Sequence, residues 1–593
     1  MKCLPIGVDE SLKQIAYRYK KNGLKGAVEI CRELLDSSPT DDDLVAIDEF
    51  ALHFLHTAPS TSIRIATDRL DRFSDRSSGV GWSVLAAAYC QQGRESDAVE
   101  SCRFGLTKDI PLRMRINLLG ILTKYEDISS ELPSLLEAYD PNLDGLDIAS
   151  KLYQLAIQYA YWIEAEKLLG LIKQAYVKGQ VAEISESPRL NLLWCGDQKI
   201  NTEVARHMTF RQGLKPRDSF VQVKKRHNFS DERIHIGYLS SDFRDHPTSH
   251  LMMGCWRNHD RAKFRITMFD SGWDDGSTTR SELVSYGDEI VPVAALTDKQ
   301  AAEEIKKRHV DILIELNGPT QSHRLGILSF RPAPILIGYL GWAGSYGGLL
   351  VDHIIADEYV LPRHAASEIP ESVLHLSGTY QINDHKNYSV FKGRFGRKGA
   401  SLKHSEKFIF GSINDIQKLN LEVWDVWMHI LQQCPSSELH LLHPGIAAVQ
   451  NIVKITRRYN ISPSRLRWLP KLDRAEHLLR LSEIDLILDS WPYGGHTTTS
   501  DALASGVPVL TLEGTNFAGR VCGSLLKAAG LGATLIAESP KDYANIACSL
   551  YSSPQHMEQI SDFMSEHLAS SRLFDSVART RELESIFAGL LHA

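Results

Sequence analysis

Gly494-Gly495-His496-Thr497-Thr498-Thr499-Ser500-Asp501 follows the apolar run Ile484-Asp485-Leu486-Ile487-Leu488 by a few residues and leads into Ala502-Leu503-Ala504. A strand-like run, a glycine turn and a hydroxyl-rich helix start are the local recipe of an α/β sheet and of an anion site. The first N–H groups of a helix lack intrahelical partners, and the helix dipole favours negative charge there. Thr497 and Thr498 add hydroxyl donors, and His496 is an aromatic or cationic handle. Asp501 is expected in the first turn, within reach of sugar hydroxyls. Taken alone, the stretch is more simply an ordinary capped helix after a tight turn. The chain around it decides.

Outward from that stretch, apolar strand-like runs alternate with helical segments. Upstream and downstream of it lie Phe408–Ile413, Leu439–Leu442, Leu466–Leu469 and Val507–Leu512, with helices over Leu421–Gln433 and His477–Leu481. An earlier set comprises Ile234–Leu239, Phe264–Phe269, Val310–Leu316, Ile335–Leu340 and His353–Ala356, with the charged helix Asp298–Arg308. Short apolar strands separated by helices predict two parallel, doubly wound sheets, whose ligands bind at the carboxyl ends of strands.

Before Lys215 the pattern differs. From Glu10 to Arg211 it is helical, without β-branched runs. The clearest unit is Trp82, Leu85, Ala86 and Tyr89, then Gly93, Ala98 and Cys102, which resembles the tetratricopeptide pattern. Weaker copies are Ile15-Ala16 with Tyr19, Gly23, Ala27 and Pro39, and Leu155-Ala156 with Tyr159 and Ala165. These predict a degenerate α-solenoid, a docking surface for protein or peptide. The domain reading is therefore residues 1–214 helical, 215–232 a polar basic linker, 233–395 a first Rossmann-like domain and 396–593 a second.

Composition narrows the class. The 593 residues carry 66 basic and 73 acidic side chains, a net charge of −7, which argues against a general nucleic-acid binder. Nine cysteines without CxxC spacing fit a reduced protein without a zinc knuckle. No apolar run approaches a membrane span, and the N-terminus has no apolar signal core, so the expected location is cytoplasmic.

The polar motifs follow strands. Ser240-Ser241-Asp242-Phe243-Arg244-Asp245-His246-Pro247-Thr248-Ser249-His250 offers a carboxylate and two histidines, with a helix cap expected at Thr248 or Ser249. Asn317-Gly318 and Gly341-Trp342-Ala343-Gly344-Ser345 let backbone approach a ligand. Asn414-Asp415-Ile416-Gln417-Lys418 places a lysine just beyond a strand, suited to a phosphate. His477 and Arg480 share a helix face. Lys418, Arg480, Arg520 and the helix start at His496 together suggest a positive floor for a diphosphate. No histidine or carboxylate cluster has convincing metal spacing, and such a floor needs no divalent ion.

Together these motifs resemble the nucleocytoplasmic protein O-GlcNAc transferases, glycosyltransferase family 41, in a short bacterial-type form. The residues that carry it are Gly237-Tyr238-Leu239-Ser240-Ser241-Asp242-Phe243 with His246–His250, Asn317-Gly318, Arg331-Pro332-Ala333-Pro334 with Leu340-Gly341, Lys418, and His496-Thr497-Thr498 with Asp501. The resemblance implies a GT-B fold after the helical repeats, and inverting, metal-independent transfer of GlcNAc from UDP-GlcNAc to Ser or Thr of proteins, without a cofactor. It implies that Lys418 neutralises the leaving diphosphate. His496, Thr497 and Thr498 would hold the phosphates and nearby ribose, Asp501 the ribose, and His477 and Arg480 the uridine. Asn414, Asp415 and Gly341 belong to the donor site in the same reading. Asp242, His246 and His250 would line the catalytic centre, with the general base open among Asp242 through water, His246 and a donor phosphate oxygen. Gln417, Gln321 and the Trp342-Ala343 pair depart from the family pattern near sugar and acceptor. Alternatives are therefore UDP-glucose to Asn, GDP-fucose to Ser or Thr, or a non-catalytic repeat scaffold. Self-association is left open.

Overall fold

The structure is a computed structural model that describes residues 6–53, 55, 59–73, 79–214, 233–320, 323–384 and 407–592. The expected linker 215–232, the domain border at 395/396 and Gln321 lie outside the described residues. The chain forms two compact units, Met1–Tyr159 with Ile163–Ser185, and Ala160–Trp162 with Glu186–Ala593.

In the first unit, each helix from Ile6–Asp36 to Leu112–Leu122 packs against the next. The helices Val80–Gln91 and Glu95–Leu106 are the tetratricopeptide-like unit. Ala86 and Ala98 are fully buried, which lets the two helices approach closely. Gly93 supplies the left-handed turn between them at φ +69°. The Trp82 and Phe104 rings pack at a tilt, with centres 4.7 Å apart. A Cβ on Gly105 would collide with Leu118 and Trp82, so the groove closes only over glycine. In the first weaker copy Gly23, at φ +64°, breaks Ile6–Asp36 into two helices, and Ala27 is buried. Ala16, by contrast, is exposed.

The second unit holds two parallel sheets. The first contains β1 (Ile234–Ser240), β2 (Phe264–Asp270), β3 (Glu289–Pro292), β4 (Ile312–Glu315), β5 (Ile335–Gly338), β6 (His353–Asp357) and β7 (Ser372–Leu376), in the order β3-β2-β1-β4-β5-β6-β7. The second contains β8 (Phe408–Ser412), β9 (Ser437–Leu442), β10 (Leu466–Leu469), β11 (Leu486–Leu488), β12 (Val509–Leu512) and β13 (Ile536–Ala537), in the order β10-β9-β8-β11-β12-β13. This is the GT-B pairing of two Rossmann-like domains. Strands β3, β7 and β13 escape the sequence reading for one reason. Each is an edge strand and only partly buried, so it lacks the continuous apolar run of a central parallel strand. In each sheet the strand order reverses once, between β1 and β4 and between β8 and β11, which fixes where a crevice opens.

Helices Pro188–Leu192 and Gln198–Arg211, read with the solenoid from their pattern, pack in the sheet-bearing unit. Buried polar contacts hold them there. Asn516 Nδ2 donates to Cys195 O at 3.1 Å and to Asn201 Oδ1 at 2.8 Å, and Phe517 N donates to Gln198 Oε1 at 3.1 Å.

The two sheet domains are joined by buried polar groups and by the last helix. Ser524 Oγ donates to Asp357 Oδ2 at 2.6 Å, and Ser500 Oγ to Gln381 Oε1 at 3.1 Å. Helix Ser576–His592 packs back against helix Pro247–Asn258 of the first domain. There His259 is enclosed, with Nδ1 3.0 Å from Glu584 Oε1 and Nε2 2.8 Å from the Tyr238 hydroxyl. Burial opposes the imidazolium, but Cys255 and the Glu584 carboxylate outweigh it and raise its pKa to about 9. A raised folded pKa stabilises fully below the unfolded value, ~6.5, and is lost as pH rises through about 9. Glu584→Gln is therefore expected to lower the thermal midpoint well below that of the parent at pH 6. The gap should narrow steadily towards pH 9.5. An equal gap at both pH values would contradict a charged pair.

Candidate functional site

The basin at the second switch point is built around Asp489, which follows β11 directly and is buried. Its Oδ1 accepts from Gly495 N at 2.6 Å and Asn414 Nδ2 at 3.0 Å, and its Oδ2 from Thr511 Oγ1 at 2.8 Å. One carboxylate thus ties the ends of β8, β11 and β12 to the glycine turn. A Cβ on Gly494 would meet Asp489 Oδ2 at 2.7 Å, and one on Gly495 would meet the Thr499 and Thr498 hydroxyls at 2.6 and 2.7 Å. The turn therefore admits no side chain at either position.

Lys418 ends the short turn Ile416–Lys418, capped by Asp415, whose carboxylate accepts from Gln417 N at 2.9 Å. Its Nζ donates to Gly494 O at 2.7 Å and lies 4.1 Å from the centre of the Tyr493 ring. Burial lowers its pKa to about 8, against the pull of Asp489 and Asp415. His496 is the N-cap residue of helix Thr497–Ala504. Its Nε2 stands 2.9 Å from Ala518 O, so that nitrogen carries the proton and donates. Burial and the Lys418 charge push its pKa down to about 3. His496 is thus a neutral handle, not a cationic one.

The remaining donor-side residues divide. Asn414 is central: its Oδ1 accepts from Thr498 Oγ1 at 2.9 Å, so that hydroxyl proton is already engaged. Thr497 opens the helix and is half-buried. Asp501 lies in the second turn, not the first. It is buried, and Arg474 grips it at 3.0 and 3.2 Å. Arg480 donates to His477 Nδ1 at 2.9 Å and to Pro470 O, and Arg520 to Gly514 O at 3.0 Å. Of the expected positive floor, the structure joins Lys418 and the His496 helix start. The other two arginines are held by neighbouring groups because both lie within reach of backbone carbonyls. Gly341 is bare because a Cβ there would strike the Leu316 carbonyl, a packing demand of the loop after β4.

At the first switch point Asp242 is the centre. Its Oδ2 accepts from Asn317 Nδ2 at 2.6 Å, and its Oδ1 from Arg244 Nη2 at 3.1 Å. His246, not Thr248 or Ser249, caps helix Pro247–Asn258: its Nδ1 accepts from Thr248 N at 3.3 Å and lies 3.6 Å from Asp242 Oδ2. Pro247 at the first helical position makes the preceding residue the cap. Burial lowers the His246 pKa. His250 Nε2 pairs with Asp245 Oδ1 at 2.7 Å, and burial with the Arg474 charge lowers its pKa to about 4. Arg474 belongs to the second domain, so its field reaches His250 across the crevice while it holds Asp501.

Beneath Asp242 lies Glu315 at the end of β4, fully enclosed. It accepts from Asn317 N at 3.0 Å, Gly318 N at 2.7 Å and the Tyr346 hydroxyl at 2.8 Å. Burial raises its pKa to about 7. Sequence reasoning missed Glu315, Asp489 and Arg474. The first two had a usable signal, a carboxylate at the last position of, or directly after, a central strand. Among the described residues, no group of three or more His, Cys, Asp or Glu is placed to hold a metal ion.

A profile described as Glycosyl transferase family 41 matches residues 214–395 and 397–583. A probable UDP-N-acetylglucosamine–peptide N-acetylglucosaminyltransferase of Arabidopsis thaliana is 31% identical over 394 residues, 65% of this chain and 40% of that protein. The UDP-N-acetylglucosamine–peptide N-acetylglucosaminyltransferase of Caenorhabditis elegans is 24% identical over 465 residues, covering 60% and 40%. The chain spans about two fifths of the length of these curated relatives. A mutant O-GlcNAc transferase of Thermobaculum terrenum superposes with a TM-score of 0.60 at 20% identity, covering 99% of this chain and 97% of that one, a likeness of fold.

Asp489→Ala would leave the Gly495 N–H, the Thr511 hydroxyl and the Asn414 amide without their acceptor. The expected loss is on the order of 3 kcal/mol in urea unfolding, with Asp489→Asn losing less. An unchanged unfolding midpoint for Asp489→Ala would refute its role as the anchor of the turn.

Proposed function

Because the chain belongs to glycosyltransferase family 41, we propose that it transfers GlcNAc from UDP-GlcNAc to Ser or Thr hydroxyls of proteins, with inversion and without a metal. The donor and the peptide acceptor are those named for the Arabidopsis and Caenorhabditis relatives. The observation that carries the reading is Lys418 at 2.7 Å from Gly494 O, beside the helix start at Thr497, with Asp242 and His246 paired at the switch point of the other sheet.

In this mechanism the acceptor oxygen attacks the anomeric carbon opposite the diphosphate. The new C–O bond forms as the bond to the β-phosphate oxygen breaks, and that electron pair leaves with UDP. Lys418 and the first N–H groups of helix Thr497–Ala504 stabilise the charge that develops there. Neutral His496 adds shape and hydrogen bonding without charge. The acceptor proton goes to Asp242 through water, to His246 or to a donor phosphate oxygen. The Thr248 N–H on His246 Nδ1 leaves that ring's proton on Nε2, which favours the other two. The helical repeats would select the protein acceptor, in a cytoplasmic setting.

Lys418→Ala should lower kcat by roughly 10²–10³-fold with the circular dichroism spectrum unchanged. Full retained activity would remove Lys418 from this role. Incubating the enzyme with a protein extract and UDP-GlcNAc, UDP-glucose or GDP-fucose, followed by intact-mass analysis, should add mass only with UDP-GlcNAc. Labelling from another donor would redirect the sugar assignment. UDP binds the protonated lysine, so above the range in which its own terminal phosphate titrates, ~6, its affinity should fall as pH rises beyond about 8. A constant affinity from pH 6 to pH 10 would contradict the lysine assignment.

A further inference from the structure

We propose that Arg189, which precedes both sheets in sequence, is a second cation for the β-phosphate of the donor; the inference rests on the donor reading above. Arg189 lies on helix Pro188–Leu192, within the unit that holds both sheets. Its Nη1 donates to Gln417 Oε1 at 3.1 Å, and its Nη2 stands 3.6 Å from Asp415 Oδ2. Asp415 and Gln417 belong to the same short turn that presents Lys418. The guanidinium is thus held at the rim of the Lys418 basin by the turn itself.

Its charge is felt inside that basin. It works with burial to depress the Lys418 ammonium, and it opposes the rise that burial imposes on the Tyr493 phenol. A guanidinium held against the turn that presents the Lys418 ammonium repels it, and an anion between the two relieves the repulsion. Among the described residues, Arg189 is also not committed elsewhere in a strong pair. Gln417 accepts from it without neutralising it. The Asp415 pair is long, with 41% and 48% of the two side chains exposed, and pairs of that kind contribute little. A guanidinium has five N–H donors in a planar fork that matches phosphate oxygens, so most of its donor capacity is open to a better anion. Lys418 offers a single point charge, and the pair of cations suits a group carrying two phosphates.

The test is calorimetric titration of UDP and UMP into the 593-residue chain and its Arg189→Ala and Arg189→Lys variants, with thermal melting as the fold control. The expected result for Arg189→Ala is UDP affinity weakened roughly 10-fold with UMP affinity changed less than about twofold, since only UDP carries the β-phosphate. Arg189→Lys, which keeps the charge without the fork, should fall between. UDP affinity untouched by Arg189→Ala overturns the inference alone. UDP and UMP weakened alike also overturn it, because they indicate a structural role. Failure of the parent protein to bind UDP overturns the donor reading and the inference together.

Discussion

A buried carboxylate at the end of a central strand organises the crevice. Asp489 is buried at the strand end and needs partners, because an unpaired buried polar group is among the most unfavourable features a fold can contain. It finds them in the Gly495 amide, the Asn414 side chain and the Thr511 hydroxyl. Meeting that demand pulls the glycine turn down onto the strand ends and brings Gly494 O to the Lys418 ammonium. The carboxylate is thus both a fold constraint and the reason a cation can remain charged in a half-enclosed basin.

Glu315 repeats the pattern in the other sheet. It too ends a strand next to the reversal of strand order, and it too is satisfied by loop amides and a hydroxyl. The loop it fixes carries Asn317, whose amide orients Asp242. Each domain therefore uses an inner acidic residue to hold the loop that bears an outer candidate site residue. Precision at the crevice comes from groups a layer below it.

Much of this was legible in sequence because central parallel strands are continuous apolar runs, and the polar motifs follow them directly. Lys418, Asn414, His496, Asp242 and His246 all appear where that rule puts them. The failures have definite causes. Asp501 was expected in the first helical turn but lies in the second, and its partner Arg474 is 27 residues away in a different helix, which helix spacing does not encode. The charge state of His496 depends on its burial and on the approach of Lys418, neither of which spacing encodes. Helices Pro188–Leu192 and Gln198–Arg211 have the same periodicity as the solenoid, and only buried polar contacts with Asn516 and Phe517 assign them to the sheets.

The edge strands that escaped the sequence reading have a colloidal consequence. Two open parallel sheets have four borders, here β3, β7, β10 and β13, of four, five, four and two residues. An exposed border is a template on which another chain can add a strand, and its danger grows with length and apolar character. These borders are too short and too mixed in polarity to offer a long ladder of unpaired amides. In β3, β7 and β13 the weak strand signal that hid them from pattern analysis is the same property that leaves a border little to template.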